Sequence, residues 1–192
     1  ALIIALLMAS VLIVTPGSET VSAASSSAII QIKADGSVEG TDKIVQKGSV
    51  YTLTADIQGS VESNEAFIFI MKDNIIFDGA GYTILGSGKG TAIYTLRSQN
   101  VKIQNCHITN FETGINFWMV ANWPSNSSYL GLPSASRNEI VNNSIEVVGK
   151  AFSNSSLEAG WCVYLSDAVN TTLLNNRFNT QDYKGGLFFA PS

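Results

Sequence analysis

The chain has 192 residues, a formal net charge of −4 and 45% hydrophobic residues. This length suits one domain with a substantial core. The mild acidity, with scattered Lys and Arg, excludes nucleic acid as a partner, because phosphate binding requires a clustered basic surface. Two cysteines, Cys106 and Cys162, are too few for a disulfide scaffold.

The N-terminal segment has the features of an export signal. Residues 1–14 carry no charge, and Pro16 and Gly17 end the apolar run. A membrane span needs about 20 apolar residues, so this run is short for one. Small residues at Val21-Ser22-Ala23 suit a signal peptidase. We predict that residues 1–23 are a secretory signal peptide without its basic region, with an uncleaved membrane anchor as the alternative. Either reading predicts a secreted or cell-surface protein.

Residues 24–60 are irregular in comparison with the rest of the chain. Turn signals at Ala34–Ser37, Gly40–Thr41 and Lys47–Ser49 separate short strand-like runs such as Val50–Thr54. We predict that residues 24–60 form an N-terminal cap and the first coil of the repeat that follows.

A two-part repeat occupies residues 61–192. Its first phrase alternates apolar and polar residues, and copies of it are Ile75–Ile84, Asn100–Ile108, Asn138–Ile145 and Thr171–Phe178. The second phrase follows each copy of the first, as Ala92–Thr95, Gly114–Phe117, Cys162–Leu165 and Gly186–Phe189. Period-two alternation is typical of strands with one buried face.

Like phrases recur in like order, at a spacing within the range of about 20 to 50 residues that marks repeat architectures. They are therefore expected to stack on one another. The predicted fold is all-β, a right-handed parallel β-helix (solenoid). The last strand-like run has no cap after it, so further coils are expected beyond Ser192.

Alignment of the copies predicts columns of equivalent residues about 4.8 Å apart. Ile103, Ile140 and Leu173 are expected to stack inside, and Ala92, Gly114, Cys162 and Gly186 to form a small-residue column at a bend. Asparagines occupy one turn of three copies, and we predict an inward, hydrogen-bonded ladder of Asn105, Asn142 and Asn175.

Four Asn-x-Ser/Thr sequons begin at Asn126, Asn142, Asn154 and Asn170. In an exported protein such sites are candidate glycan acceptors. For Asn142 the predicted inward side chain favours a chance match.

One outward column carries the candidate binding residues. It contains Tyr94, Asn116, Tyr164 and Phe188, and Trp118 and Trp123 lie in or beside the inserted loop that follows. Aromatic rings with an amide beside them suit a sugar, which offers apolar C–H groups and hydroxyls. The alternative is that the loop between Trp118 and Arg137 folds over this column and buries it.

The sequence assigns no catalytic, cofactor or metal site. A hydrolase needs two suitably spaced carboxyl groups, and no second carboxylate aligns with Asp78. Lys102 and Glu139 share an outward column and are expected to pair across adjacent coils. The only histidine, His107, follows Cys106 on a strand, so the two side chains should point to opposite faces.

The repeat resembles that of NosD-like parallel β-helix proteins, within the carbohydrate-binding and sugar-hydrolase β-helix superfamily. The resemblance rests on the Asn-x-x-Ile-x-Asn turn at Asn100–Asn105 and the Gly-Ile-x-Phe phrase at Gly114–Phe117, and it covers about residues 30–189. Ile32–Val38 and Asp73–Tyr82 resemble exported surface proteins. Relatives include lyases, hydrolases and a copper-site maturation factor, so the resemblance implies the fold and transfers no catalytic residue.

Three functions stay open at this point. The favoured one is an exported β-helix that binds carbohydrate or another cell-envelope partner. A polysaccharide lyase or glycoside hydrolase, with its site partly in further coils, is the second. The third is a structural stalk or adhesin without a site of its own.

Overall fold

The computed structural model describes residues 29–118, 136–148, 160–166, 168–181 and 186–190. The predicted signal peptide, Trp123, and the sequons at Asn126 and Asn154 lie outside these ranges. Within them, no helix has the length and apolar character that a membrane crossing requires.

The described residues form eighteen short strands. In chain order these are β1 (Ile30–Ile32), β2 (Val38–Glu39), β3 (Ile44–Lys47), β4 (Val50–Leu53), β5 (Ile57–Gln58), β6 (Ala66–Ile70), β7 (Ile75–Asp78), β8 (Thr83–Leu85), β9 (Thr91–Leu96), β10 (Val101–Gln104), β11 (His107–Phe111), β12 (Thr113–Trp118), β13 (Glu139–Val141), β14 (Ser144–Val147), β15 (Val163–Ser166), β16 (Thr172–Leu174), β17 (Arg177–Thr180) and β18 (Leu187–Ala190).

These strands form three sheets. The first sheet has the order β18-β15-β12-β9-β6-β1-β2, the second β16-β13-β10-β7-β4-β3, and the third β17-β14-β11-β8-β5. From β4 onward the chain passes through the second, third and first sheets in rotation, and each strand pairs in parallel with the strand three places later. The all-β prediction is confirmed, and most of the pairing is parallel.

The register confirms the predicted apolar column and shows a similar one in the first sheet. Ile103 pairs with Ile140, which pairs with Leu173. Ile93 pairs with Ile115 in the first sheet. Strand residues of the three sheets contribute to a single buried cluster that includes Ile68, Ile93 and Ile115 from the first sheet, Phe77, Ile103 and Ile140 from the second, and Ile84, Ile108 and Ile145 from the third. β-branched residues suit this environment, since their stiff side chains pack well on a pleated surface.

At the N-terminal side, two strands run against the parallel direction. Strand β2 pairs antiparallel with β1, and β3 pairs antiparallel with β4, so both lie at sheet edges. The buried Tyr51 hydroxyl of β4 donates a hydrogen bond to the carbonyl oxygen of Gly36, in the turn between β1 and β2, at 2.9 Å. This bond connects the two antiparallel pairs. The division of the chain into a cap (24–60) and later coils stays a prediction.

Left-handed backbone conformations recur where the chain turns from the first sheet into the second. We call this turn the first corner. Its equivalent residues are Asn74, Asn100, Arg137 and Asn170, with φ between 52° and 58°. Asparagine tolerates this conformation better than other non-glycine residues because its short polar side chain bonds locally.

The turn from the second sheet into the third, the second corner, has the same feature. Asn105, Asn142 and Asn175 have φ of 53°, 56° and 54°. The asparagines that recur in the sequence are thus explained by backbone conformation.

The predicted inward ladder of Asn105, Asn142 and Asn175 is wrong by one residue. Asn142 and Asn175 are exposed, whereas Asn143 is only 2% exposed. A left-handed residue interrupts the period-two alternation, so here the residue after it points inward. The sequons at Asn142 and Asn170 are therefore accessible, contrary to the expectation for Asn142.

The true ladder begins at Asn143. Its Oδ1 accepts a hydrogen bond from the Cys106 N–H at 3.0 Å, and its Nδ2 donates to the Ile103 carbonyl oxygen at 3.0 Å. Asn176, the equivalent residue of the next coil, accepts from the Asn143 Nδ2 and donates to the Ile140 carbonyl oxygen. Each amide satisfies backbone groups that would be costly to bury unpaired.

The small-residue column has a steric cause. A Cβ on Gly114 would lie 2.5 Å from the Cys162 carbonyl oxygen and 2.4 Å from the Ile145 Cγ2. Cys162 fills its own position in the column as a buried thiol, and burial raises its pKa to about 11. This agrees with the interpretation of Cys162 as a small buried hydrophobe.

Candidate functional site

The predicted aromatic column exists in the register of the first sheet. Tyr94 pairs with Asn116, which pairs with Tyr164, which pairs with Phe188. The column also begins one strand earlier than predicted, because Phe69 of β6 pairs with Tyr94.

Burial separates the middle of this column from its ends. Asn116 is 3% exposed and Tyr164 is 7% exposed, while Tyr94 and Phe188 are half-buried. The two central residues are therefore not accessible to a ligand, which favours the buried alternative for the middle of the column. Trp118 closes β12, and neither its side chain nor Trp123 is among the described parts. The covering of the column by the loop that follows Trp118 stays a prediction.

The rings of the column stack on one another. Phe69 and Tyr94 have ring centroids 5.1 Å apart at 13°, and Tyr164 and Phe188 have centroids 4.8 Å apart at 15°. In each stacked pair the ring faces are turned toward each other along the column. Each pair stabilises the fold by about 0.5–1.5 kcal/mol. A sugar would need those faces. The column consequently serves packing better than saccharide binding.

A groove opens on the outer surface beside the first corner. Its volume is about 440 Å³, and it crosses the N-terminal ends of β7, β10 and β13. The residues that give it chemical character are Asn74, Ile76, Asn100, Lys102, Arg137 and Glu139.

Two amides form one side of the groove. The Asn100 Nδ2 donates a hydrogen bond to the Asn74 Oδ1 at 2.7 Å. Each amide has one oxygen acceptor and two N–H donors, so this bond leaves the Asn74 amide donors and the Asn100 carbonyl oxygen for other partners. Both residues are exposed.

An ion pair lies in the groove. The Lys102 Nζ is 3.0 Å from the Glu139 Oε2, which confirms the pairing expected from their shared column. Both side chains are partly exposed, so the pair contributes little to stability. Because the two charges neutralise each other, the pair adds no net charge to the groove.

Arg137 is the remaining charge of the groove lining. It is exposed, and its guanidinium makes no hydrogen bond or ion pair with any residue that the structure describes. Its φ of 57° is unusual for a long side chain.

Asp78, the carboxylate for which the sequence offers no aligned partner, is occupied by structural bonds. Burial acts to raise its pKa, but hydrogen bonds from the Ala80 N–H, Asn105 and Gln104 outweigh burial and hold the pKa below its usual value. A carboxylate saturated in this way anchors the second corner.

The Cys106–His107 pair is arranged as predicted. Cys106 is buried and His107 is exposed, so they point to opposite sides of the strand. Burial raises the pKa of the Cys106 thiol, which makes it a poor ligand. Among the described residues, no three His, Cys, Asp or Glu side chains converge as metal ligands.

The sequence carries a signal for the groove in the repeat positions of its lining residues. Asn74 and Arg137 directly precede a copy of the first phrase, Asn100 begins one, and the strand register makes the three positions equivalent. Equivalent polar residues that precede paired parallel strands come together in space.

Comparison with protein-family models, curated proteins and solved structures finds no match for this chain.

Proposed function

We propose that this chain is an exported, cell-surface right-handed parallel β-helix of the NosD-like kind, and that it binds carbohydrate in the groove beside the first corner. The rotation of the chain through three sheets supports the solenoid, because each strand meets its equivalent from the next coil. The family proposal rests on the repeat phrases at Asn100–Asn105 and Gly114–Phe117.

One observation carries the binding proposal, namely the mixed lining of the groove. Ile76 supplies apolar surface, while Asn74 and Asn100 supply amide donors and acceptors. A saccharide offers apolar C–H groups and hydroxyls, so its two faces match these two kinds of lining. Binding sites commonly combine apolar surface with a few placed polar groups. The repeat also presents amides at the strand spacing of about 4.8 Å, which suits a polymer of similar units.

A structural stalk is the second candidate function. The internal ladder at Asn143 and Asn176 and the buried Asn116 and Tyr164 favour it, because they stiffen the stack and remove aromatic surface from solvent. Catalysis is not part of the proposal. The carboxylate of the groove lining, Glu139, is held in an ion pair with Lys102.

Affinity electrophoresis of residues 24–192 against a panel of polysaccharides tests the proposal. We expect at least one polymer to retard the chain, and the variant Asn74→Gly/Asn100→Gly to lose that retardation. Glycine keeps the left-handed conformation at both positions and removes only the amides. The matched control is Asn142→Gly, which removes an equivalent exposed amide at the second corner, away from the groove.

Two results would contradict the proposal in different ways. Loss of retardation in Tyr94→Ala, with the groove variant unaffected, would place binding on the aromatic column. No retardation by any polymer would favour the structural stalk.

A further inference from the structure

We infer that the saccharide bound in the groove carries an anionic oxygen group, a carboxylate or a sulfate, and that Arg137 binds it. This inference rests on the proposed function and adds the charge class of the ligand. Its basis is a guanidinium that lines the groove, is exposed to solvent and has no partner among the described residues.

The charge balance of the groove favours an anion. Lys102 and Glu139 neutralise each other at 3.0 Å, which leaves Arg137 as the net charge of the lining. Asp73, which precedes Asn74 in the chain, does not line the groove, and its Oδ1 accepts a hydrogen bond from the Gln99 N–H at 2.8 Å. The protein as a whole is acidic, so this local positive charge is not a consequence of composition.

The backbone at Arg137 is held in place from both sides. Its N–H donates to the Val169 carbonyl oxygen at 3.1 Å. The next residue, Asn138, is fully buried, accepts from the Val101 N–H at 2.9 Å and donates to the Ser98 carbonyl oxygen at 3.0 Å. These bonds fix a left-handed conformation that an arginine would not otherwise favour. The fixed backbone keeps the base of the Arg137 side chain at the groove lining.

A guanidinium suits an oxyanion better than it suits a hydroxyl. Its planar array of N–H donors matches two oxygens of a carboxylate or sulfate in a bidentate arrangement. The neighbouring Asn74 amide donors can take a third oxygen or a ring hydroxyl. The groove can therefore bind the anionic group through Arg137 and the sugar hydroxyls through the neighbouring amides.

Two pairs of polymers test the inference, and within each pair a neutral and a charged polymer share one backbone. The first pair is neutral hydroxyethylcellulose with carboxymethylcellulose, and the second is neutral dextran with dextran sulfate. We expect the charged member of at least one pair to retard residues 24–192 more strongly, with a retardation that falls as salt is added. The pair that responds distinguishes carboxylate from sulfate. Arg137→Gln should weaken binding of the charged member about tenfold, as loss of a charge-assisted hydrogen bond implies, and Arg137→Lys should weaken it less.

The matched control is Arg177→Gln, which removes an exposed arginine from β17 in the third sheet, away from the groove. Equal binding of charged and neutral members, or no effect of Arg137→Gln, would overturn the inference and leave the proposed function standing. Equal weakening by Arg177→Gln would also overturn it, since general charge would then explain the binding. Retardation by neither member of either pair, nor by any polymer of the larger panel, would overturn both proposals.

Discussion

Replacement of Asn143 by alanine is expected to destabilise the fold far more than loss of the adjacent Asn142 side chain. Asn143→Ala leaves the buried Cys106 N–H without its acceptor and removes donated bonds to the Ile103 carbonyl oxygen and Asn176. An unsatisfied buried group costs about 1–3 kcal/mol and each lost bond about 1 kcal/mol. Because Asn176 is partly exposed, we expect a total of roughly 2–4 kcal/mol.

Equilibrium unfolding in urea measures this difference. With a slope of about 2 kcal/mol per M, a loss of that size moves the midpoint by roughly 1–2 M. Asn142→Gly is the control, because it relaxes the left-handed backbone and removes an exposed side chain, so its midpoint should hardly change. A larger loss in Asn142→Gly than in Asn143→Ala would refute the assignment of the inward ladder to Asn143.

Three further predictions follow from packing and charge. Gly114→Ala should lower the free energy of unfolding by about 3 kcal/mol, near the upper end for overpacking. Gly48→Ala, whose Cβ meets nothing within 4 Å, should lower it by about 1 kcal/mol because of its left-handed φ. Thermal melting compares the two variants. The pKa of Asp78 is lowered in the folded protein, so this carboxylate contributes its full stabilisation above its ordinary pKa of 3.8. The contribution is lost as the pH falls through the lower pKa of the folded state. Asp78→Asn should therefore reduce the dependence of the free energy of unfolding on pH in the acid range. Burial raises the pKa of Cys106 and Cys162, so a thiol reagent should modify both slowly in the native protein and rapidly in urea; fast native modification would contradict their burial.

The strands were predictable because their pattern is local. Period-two alternation marks phrases such as Asn100–Ile108, and recurrence in like order predicts parallel stacking of Ile103 on Ile140. The Lys102–Glu139 pair followed from the same alignment. Nothing beyond the repeat and the alternation of side chains was needed for these predictions.

The corners were less predictable because backbone conformation decides them. Strand alternation continued through Asn142 places its side chain inside, but a φ of 56° there turns it outward and sends Asn143 inward. The aromatic column illustrates a second difficulty. The register of Tyr94 with Asn116 follows from the repeat, whereas the burial of Asn116 depends on what packs over the sheet.

The groove was missed for a related reason. Asn74, Asn100 and Arg137 are each ordinary turn residues in the sequence, and they form a surface only after β7, β10 and β13 have paired. Their repeat positions could have brought them together in advance, since Asn74 aligns with Asn100 when Ile75 aligns with Val101.

The most direct test of the account is a crystal structure of residues 24–192 with an oligosaccharide from the polymer that retards the chain most strongly. We predict saccharide density in the groove, in contact with Asn74, Asn100 and Arg137. Density over Phe69 and Tyr94 instead, or anywhere away from the groove, would contradict it.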